Sequence, residues 1–196
     1  VRRIRNNLGE ACAQEFPFQD LDWVSFLPRC PEVAATTYAS KRGLPFIYIF
    51  YKMRGERAFQ GSRPTERKNS INENLHLLPG IEQKIKGTRG LIIDDSLIRG
   101  NNIQRERYLL YEVAGVKEVH HLNYTPPIGI IGPDNLPRGC ASGGVDMPLD
   151  DHFIARNRTL EEISQEVGMP VHYLSLENML KAFEKALTNL MENAFF

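Results

Sequence analysis

The stretch GLIIDDSLIRGNN, residues 90–102, runs four small or apolar residues into the adjacent carboxylates Asp94 and Asp95, then continues to Gly100, Asn101 and Asn102. Adjacent acids at a chain reversal repel one another unless water, a metal or a ligand takes up their charge. The turn leads into a helix N-terminus, whose unpaired N–H groups form an anion site, and Gly100 permits close approach of the backbone. Two chemistries therefore stand side by side: carboxylates suited to hydroxyls or Mg²⁺, and amides suited to a phosphate. A sugar phosphate satisfies both. An acidic pair at a strand end also reads as a solvated turn or a helix cap. That reading accounts for one carboxylate but not for a pair packed with a basic residue, a glycine and two amides into one turn.

The elements that must position these groups follow from periodicity. Val1, Ile4, Leu8, Ala11 and Cys12 recur at spacings of three and four, predicting an amphipathic helix that ends near Phe16 and Pro17. A helix at residue 1 suggests a chain cut from something longer, or one that starts abruptly. LDWVSFLP, 21–28, reads as a strand closed by proline, EVAATTYASKRG, 32–43, as a helix with Gly43 as its C′ residue, and LPFIYIFYK, 44–52, as a second strand. Strand, helix, strand is a crossover unit, and nearly continuous apolar strands belong to parallel sheets covered on both faces. Residues 53–74 are polar and rich in Arg, a long loop of the kind that is functional or disordered. KGTRGLIIDDS gives a third strand, with Leu91–Ile93 inside it and Asp94 and Asp95 at its carboxyl end. A helix opening at Ile103 and capped by Gly115 follows, and VKEVHHLNY, 116–124, is a fourth strand. Ligands of open parallel sheets bind outside the carboxyl ends of the strands.

From about residue 125 the chain is rich in Pro and Gly and reads as irregular surface. DMPLDDHFIARNRTLEEISQEVG offers two short helices, the second opening at Thr159 with Glu162 three residues on, a capping-box pattern. A short strand and a final amphipathic helix close the chain. Residues 1–130 are expected to form the core, and 131–196 a hood and C-terminal helical segment packed on the same domain.

Composition narrows the class. The chain has 196 residues, 42% of them apolar, enough for one compact α/β domain. Lys plus Arg and Asp plus Glu each number 24, so no electrostatic footprint points to nucleic acid. Cys12, Cys30 and Cys140 are odd in number and widely spaced, which fits a reducing compartment rather than a disulfide framework. Cys12 is expected to pack as a small apolar residue. No apolar run approaches the roughly 20 residues needed to cross a bilayer, and VRRIRNNLGE has no signal-like apolar segment. The expected location is cytoplasmic, without membrane or nucleic-acid partners. His120 and His121 lie on opposite faces of a strand and read as packing or surface residues rather than metal ligands.

DDSLIRGNN resembles the phosphoribosyl diphosphate (PRPP) motif of type I phosphoribosyltransferases, most closely the form DDSIVRGTT of the glutamine amidophosphoribosyltransferases. Other segments agree in order. RRIRNNLGEACAQE resembles the family helix leading into the transferase domain, KMRGERAF its KNRYVGRTF loop, and AGVKEVHHLNYTPPI its AGAKKVYLASAAPPI. GVDMPLDDHFIARNRTLEEISQEVG and YLSLENML resemble the segments that close the domain, so the likeness covers nearly the whole chain. It implies a type I phosphoribosyltransferase fold, a mostly parallel twisted sheet with helices on both faces plus a C-terminal helical extension.

By the same resemblance, Asp94 and Asp95 would bind the ribose hydroxyls of PRPP, directly or through Mg²⁺. Ser96, Arg99, Gly100, Asn101 and Asn102 would wrap the 5′-phosphate. Lys52, Arg54 and Arg57 would act in catalysis by closing over the diphosphate, with Arg67 a further phosphate contact and Arg29 and Cys30 in the loop facing the diphosphate. The implied reaction forms 5-phosphoribosylamine and diphosphate from PRPP and ammonia, with a glutaminase domain or subunit as ammonia source and a homo-oligomer as the assembly.

Three features depart from the family pattern. The loop after the first strand, P-D-S-G or P-E-T-S in the family, is here Pro28, Arg29, Cys30, Pro31, Glu32. Pro31 brings no N–H, Arg29 adds charge and Glu32 would repel a diphosphate. The threonines of RGTT are replaced by Asn101 and Asn102, and no residue before Val1 supplies a glutaminase cysteine. Cys140 sits near one position used by the iron–sulfur members, but their later cysteine pair is missing. Two alternatives stay open beside the enzyme: a PRPP- or nucleotide-sensing module that has lost chemistry, and a transferase acting on a nucleobase.

Overall fold

The computed structural model describes residues 1–52, 74–131, 133, 135, 138 and 153–194. Its centre is a parallel four-stranded sheet in the order β1 (Trp23–Phe26), β4 (Arg89–Asp94), β5 (Glu118–Asn123), β6 (Val171–Tyr173). Between β1 and β4 in sequence come β2 (Phe50–Lys52) and β3 (Leu75–Leu77), an antiparallel pair. Six helices accompany them among the described residues: α1 (Arg2–Glu15), α2 (Glu32–Arg42), α3 (Glu82–Ile85), α4 (Asn101–Arg107), α5 (Leu160–Val167) and α6 (Leu176–Ala194). π-Helical turns at Tyr108–Val113 continue α4.

The sheet is covered on both faces, as its near-continuous apolar strands require. Leu91 and Ile93 of β4 turn to one side, where Leu8 and Cys12 of α1 and Ala34, Ala35 and Tyr38 of α2 bury against them. Ile92 turns to the other side and meets Ile103 and Leu110. Cys12 is fully buried, as its place on the apolar stripe of α1 predicts. Gly43 closes α2 in the left-handed conformation, φ +65°. The capping box of α5 forms as read: the Thr159 hydroxyl accepts from the Glu162 N–H at 3.2 Å, and the Thr159 N–H donates to Glu162 at 2.7 Å. The carboxylate of Glu15 accepts from the Ser175 N–H and hydroxyl and from Asn178, tying the end of α1 to the start of α6.

Three expectations need correction. The run 44–52 is not one continuous strand. Val24 donates to the Pro45 carbonyl and Ile47 donates to Val24, giving a single parallel bridge at Phe46. The segment then leaves β1 and its last three residues pair with β3, which sequence reading missed. Pro45 has no N–H to extend a ladder, and proline is confined to such edges. Helix α4 opens at Asn101, two residues earlier than read, with Gly100 as its N-cap. Residues 154–157 form turns where the first of two short helices was expected, and the short helix α3 was not anticipated. The polar loop is described only at Asn74, and GVDMP and Cys140 lie outside the described residues.

At the sheet edge His120 and His172 share a hydrogen bond of 3.0 Å and pack with Phe18. Burial, and then the rings of His120 and His121, push the His172 pKa from an ordinary 6.5 down to about 4. A depressed pKa means the folded state binds fewer protons than the unfolded chain between those values. The stability His172 contributes is therefore complete above pH 6.5 and lost as pH falls toward 4. Thermal melts across that window are expected to fall more steeply for the wild type than for His172→Phe.

Candidate active site

The parallel registers set the carboxyl ends of β1, β4 and β5 level, with Phe26 opposite Ile93 and Asp94 opposite Asn123. Above them opens a cleft of about 270 Å³ lined by residues 27–31, Lys52 and 94–102. Segments far apart in sequence thus meet on one cavity: the loop after β1, the end of β2, and the whole of DDSLIRGNN.

Asp94 ends β4 and is buried, its Oδ1 accepting the Asp95 N–H at 2.8 Å. Burial, then the charge on Asp95, raise its carboxyl well above the usual range, with His121 pulling the other way. Asp95 is half-buried; the Tyr124 N–H donates to the Asp94 carbonyl at 3.1 Å and the Thr125 hydroxyl to the Asp95 carbonyl at 2.9 Å, fixing the backbone on both sides of Asp95. The chain then turns through Ser96–Arg99 to Gly100 at φ +84°, a conformation that favours glycine. A Cβ on Gly100 would also lie 2.7 Å from Ile154 Cδ1, the tip of a side chain that would have to shift, so the conformation is the main demand for glycine here. Residue 154 holds the loop from outside by donating to the Ile98 carbonyl at 2.8 Å. No side chain caps the first turn of α4, which leaves its leading amides beside the cleft free of a capping oxygen.

In the loop after β1, Arg29 and Cys30 are exposed on the cleft and Pro31 is buried in its wall, with a cis Pro28–Arg29 peptide. Glu32 does not line the cleft. Its carboxylate accepts the Tyr48 hydroxyl at 2.6 Å, so the repulsion expected from Glu32 is directed elsewhere. Of the residues singled out in the sequence, Arg29, Cys30, Lys52, Asp94, Asp95, Ser96, Arg99, Gly100, Asn101 and Asn102 come together here. Arg54, Arg57 and Arg67 lie outside the described residues.

Behind Asp94 lie His121, expected from the sequence as a packing or surface residue, and Glu106, which sequence reading did not single out. His121, on β5, is fully buried, with Nδ1 3.1 and 3.0 Å from the carboxylate oxygens of Glu106 and Nε2 3.9 Å from Asp94 Oδ2. Burial opposes a charge on this ring, yet Glu106, and then Asp94, outweigh it and raise its pKa. Asp94 and Asp95 offer carboxylate oxygens at the cleft, which suits Mg²⁺, a cation bound through one or two carboxylates together with substrate phosphates. Among the described residues no group of three or more His, Cys, Asp or Glu could hold a metal by itself.

A parallel sheet with an acidic pair and an uncapped helix start at its carboxyl edge is the arrangement expected of a type I phosphoribosyltransferase domain. Similarity to known proteins narrows this further. Amidophosphoribosyltransferases of Archaeoglobus fulgidus, Bacillus subtilis and Homo sapiens are 32%, 32% and 31% identical over 95%, 92% and 95% of the chain. The chain spans 38%, 36% and 34% of their lengths, little more than a third of each. A solved structure titled as the glutamine phosphoribosylpyrophosphate (PRPP) amidotransferase of B. subtilis complexed with ADP and GMP superposes with a TM-score of 0.72. It has 30% identity and covers 92% of this chain and 37% of that one. A second structure, titled as the allosteric regulatory enzyme of purine biosynthesis, gives the same TM-score. No model of a protein family matches the chain. The chain is homologous to the phosphoribosyltransferase domain of the amidophosphoribosyltransferases. Among its described residues no helix is long and apolar enough to cross a membrane.

Proposed function

We propose that the chain binds PRPP in the cleft above β4 and transfers its phosphoribosyl group to ammonia, releasing diphosphate and 5-phosphoribosylamine in purine synthesis. The observation that carries this reading is the convergence of Asp94, Asp95, Lys52 and the leading amides of α4 on one cavity at the carboxyl edge of the sheet. The amides at 100–102 would take the 5′-phosphate, where the helix N-terminus favours negative charge. Asp94 and Asp95 would sit beneath the pentose, whose ring turns cationic as diphosphate leaves C1. Lys52, from the end of β2, would face the leaving group as its charge grows. Bound through Asp94 and Asp95, Mg²⁺ would neutralise part of the diphosphate charge. No nucleophilic side chain is required, because ammonia attacks the sugar carbon directly.

This reading includes a cytoplasmic location, a homo-oligomer, and a glutaminase domain or subunit as the source of ammonia. Mixing the chain with Mg²⁺, PRPP and ammonium is expected to release diphosphate at a rate proportional to protein. Binding of PRPP without any release would favour the sensing module instead, a second reading supported by Pro31, which presents no N–H to a diphosphate at the cleft wall.

A further inference from the structure

Glu106 and His121 form a polar pair that the proposed chemistry leaves unexplained. Both side chains are 0% exposed, which a glutamate almost never is without a partner. They approach one another across an apolar interface. Glu106 lies between Ile103 and Leu110 on the buried stripe of α4 and its continuation, and His121 lies beyond Val119 on the same face of β5. Such a pair is weak evidence for stability, since apolar residues of similar volume often serve as well or better.

Its geometry has a direction. The Glu106 carboxylate accepts the Nδ1–H of His121, leaving Nε2 on the far side of the ring. Nε2 faces Asp94 Oδ2 at 3.9 Å, with the side chain of Asn123, two residues along the same face of β5, as a second polar neighbour of the ring. The other oxygen of Asp94 is held by the Asp95 N–H at 2.8 Å. Asp94 is thus bracketed, its backbone neighbour on one side and an oriented imidazole on the other.

We infer that Glu106 and His121 are positioning residues for the sugar site: Glu106 orients the His121 ring, and the ring sets the attitude of the Asp94 carboxylate toward the pentose hydroxyls. The inference rests on the sugar-phosphate reading of the cleft. Neither residue lines the cleft, so their influence passes through Asp94. Partners that orient a ligating group from behind typically alter affinity or activity by about 10–100-fold.

The test is calorimetric titration of PRPP with Mg²⁺ into the wild type, the double variant Glu106→Leu/His121→Leu, and the single variants Glu106→Leu and Glu106→Gln, with a thermal melt of each. The double variant is expected to melt at or above the wild-type temperature while binding PRPP about 10–100-fold more weakly. Glu106→Gln keeps an oxygen for the Nδ1–H and is expected to bind close to wild type. Wild-type affinity in the double variant at an unchanged melting temperature would assign the pair to packing and overturn the inference. Should the double variant not fold, the two single variants decide: weaker binding by Glu106→Leu than by Glu106→Gln supports positioning, and equal binding overturns it. Absence of PRPP binding by the wild type would overturn the reading of the cleft itself, a result separate from the others.

Discussion

Replacing Asp94 and Asp95 together by asparagine is expected to lower diphosphate release from PRPP by about 10³-fold or more while leaving the chain folded, each lost charge costing on the order of 10²-fold. Asparagine keeps the shape of both side chains and can still receive the Asp95-position N–H that now binds Asp94 Oδ1. What it removes is the negative charge beneath a sugar that becomes cationic. Stability should not suffer. Burial and the neighbouring acid already hold the Asp94 carboxyl above its usual range, so the fold disfavours the charge that the amide takes away. Steady-state kinetics beside a thermal melt separates the two effects. A double variant that turns over PRPP at the wild-type rate would show that the acids are a solvated turn.

The second large effect is expected at Gly100. Gly100→Val places a β-branched residue at φ +84°, a conformation such residues rarely adopt, and sets its Cβ 2.7 Å from the tip of the Ile154 side chain, which must shift as well. The turn must open to accept it, and the leading amides of α4 move off the phosphate position. Hydrogen bonds to a charged group are worth about 1.5–3 kcal/mol each, so losing two of them should raise the KM for PRPP by about 10²-fold or more. The catalytic constant at saturation should change less, because the 5′-phosphate lies away from the reacting carbon. A fall in kcat with KM unchanged would place Gly100 outside the phosphate site.

Much of this site was legible in the sequence because its parts are local. The nine residues DDSLIRGNN carry acids, turn and helix start within one βα connection, and the apolar run Leu91–Ile93 directly before them puts the acids at the carboxyl end of the strand. The helices α1, α2, α5 and α6 announced themselves through apolar spacing, Gly43 and the Thr159–Glu162 box. Run 44–52 misled because its composition is apolar throughout, whereas Tyr48, between the Phe46 bridge and β2, and Tyr51, within β2, are 51% and 39% exposed. Strand β3 is three residues long and exists by pairing with β2, so no local pattern could declare it. The Glu106–His121 pair needed two elements at once. One signal was present: Glu106 stands three residues after Ile103 and four before Leu110, an acid on the buried stripe of its own helix. Its partner across the sheet could be named only from the fold.

The cleft tests the central claim most directly when filled. A crystal structure of the chain with PRPP and Mg²⁺ should place the 5′-phosphate within hydrogen-bonding distance of the backbone amides at 100–102, and the ribose hydroxyls toward Asp94 and Asp95. PRPP bound away from this turn, or seated with its diphosphate on those amides and no sugar contact to either acid, would contradict the account.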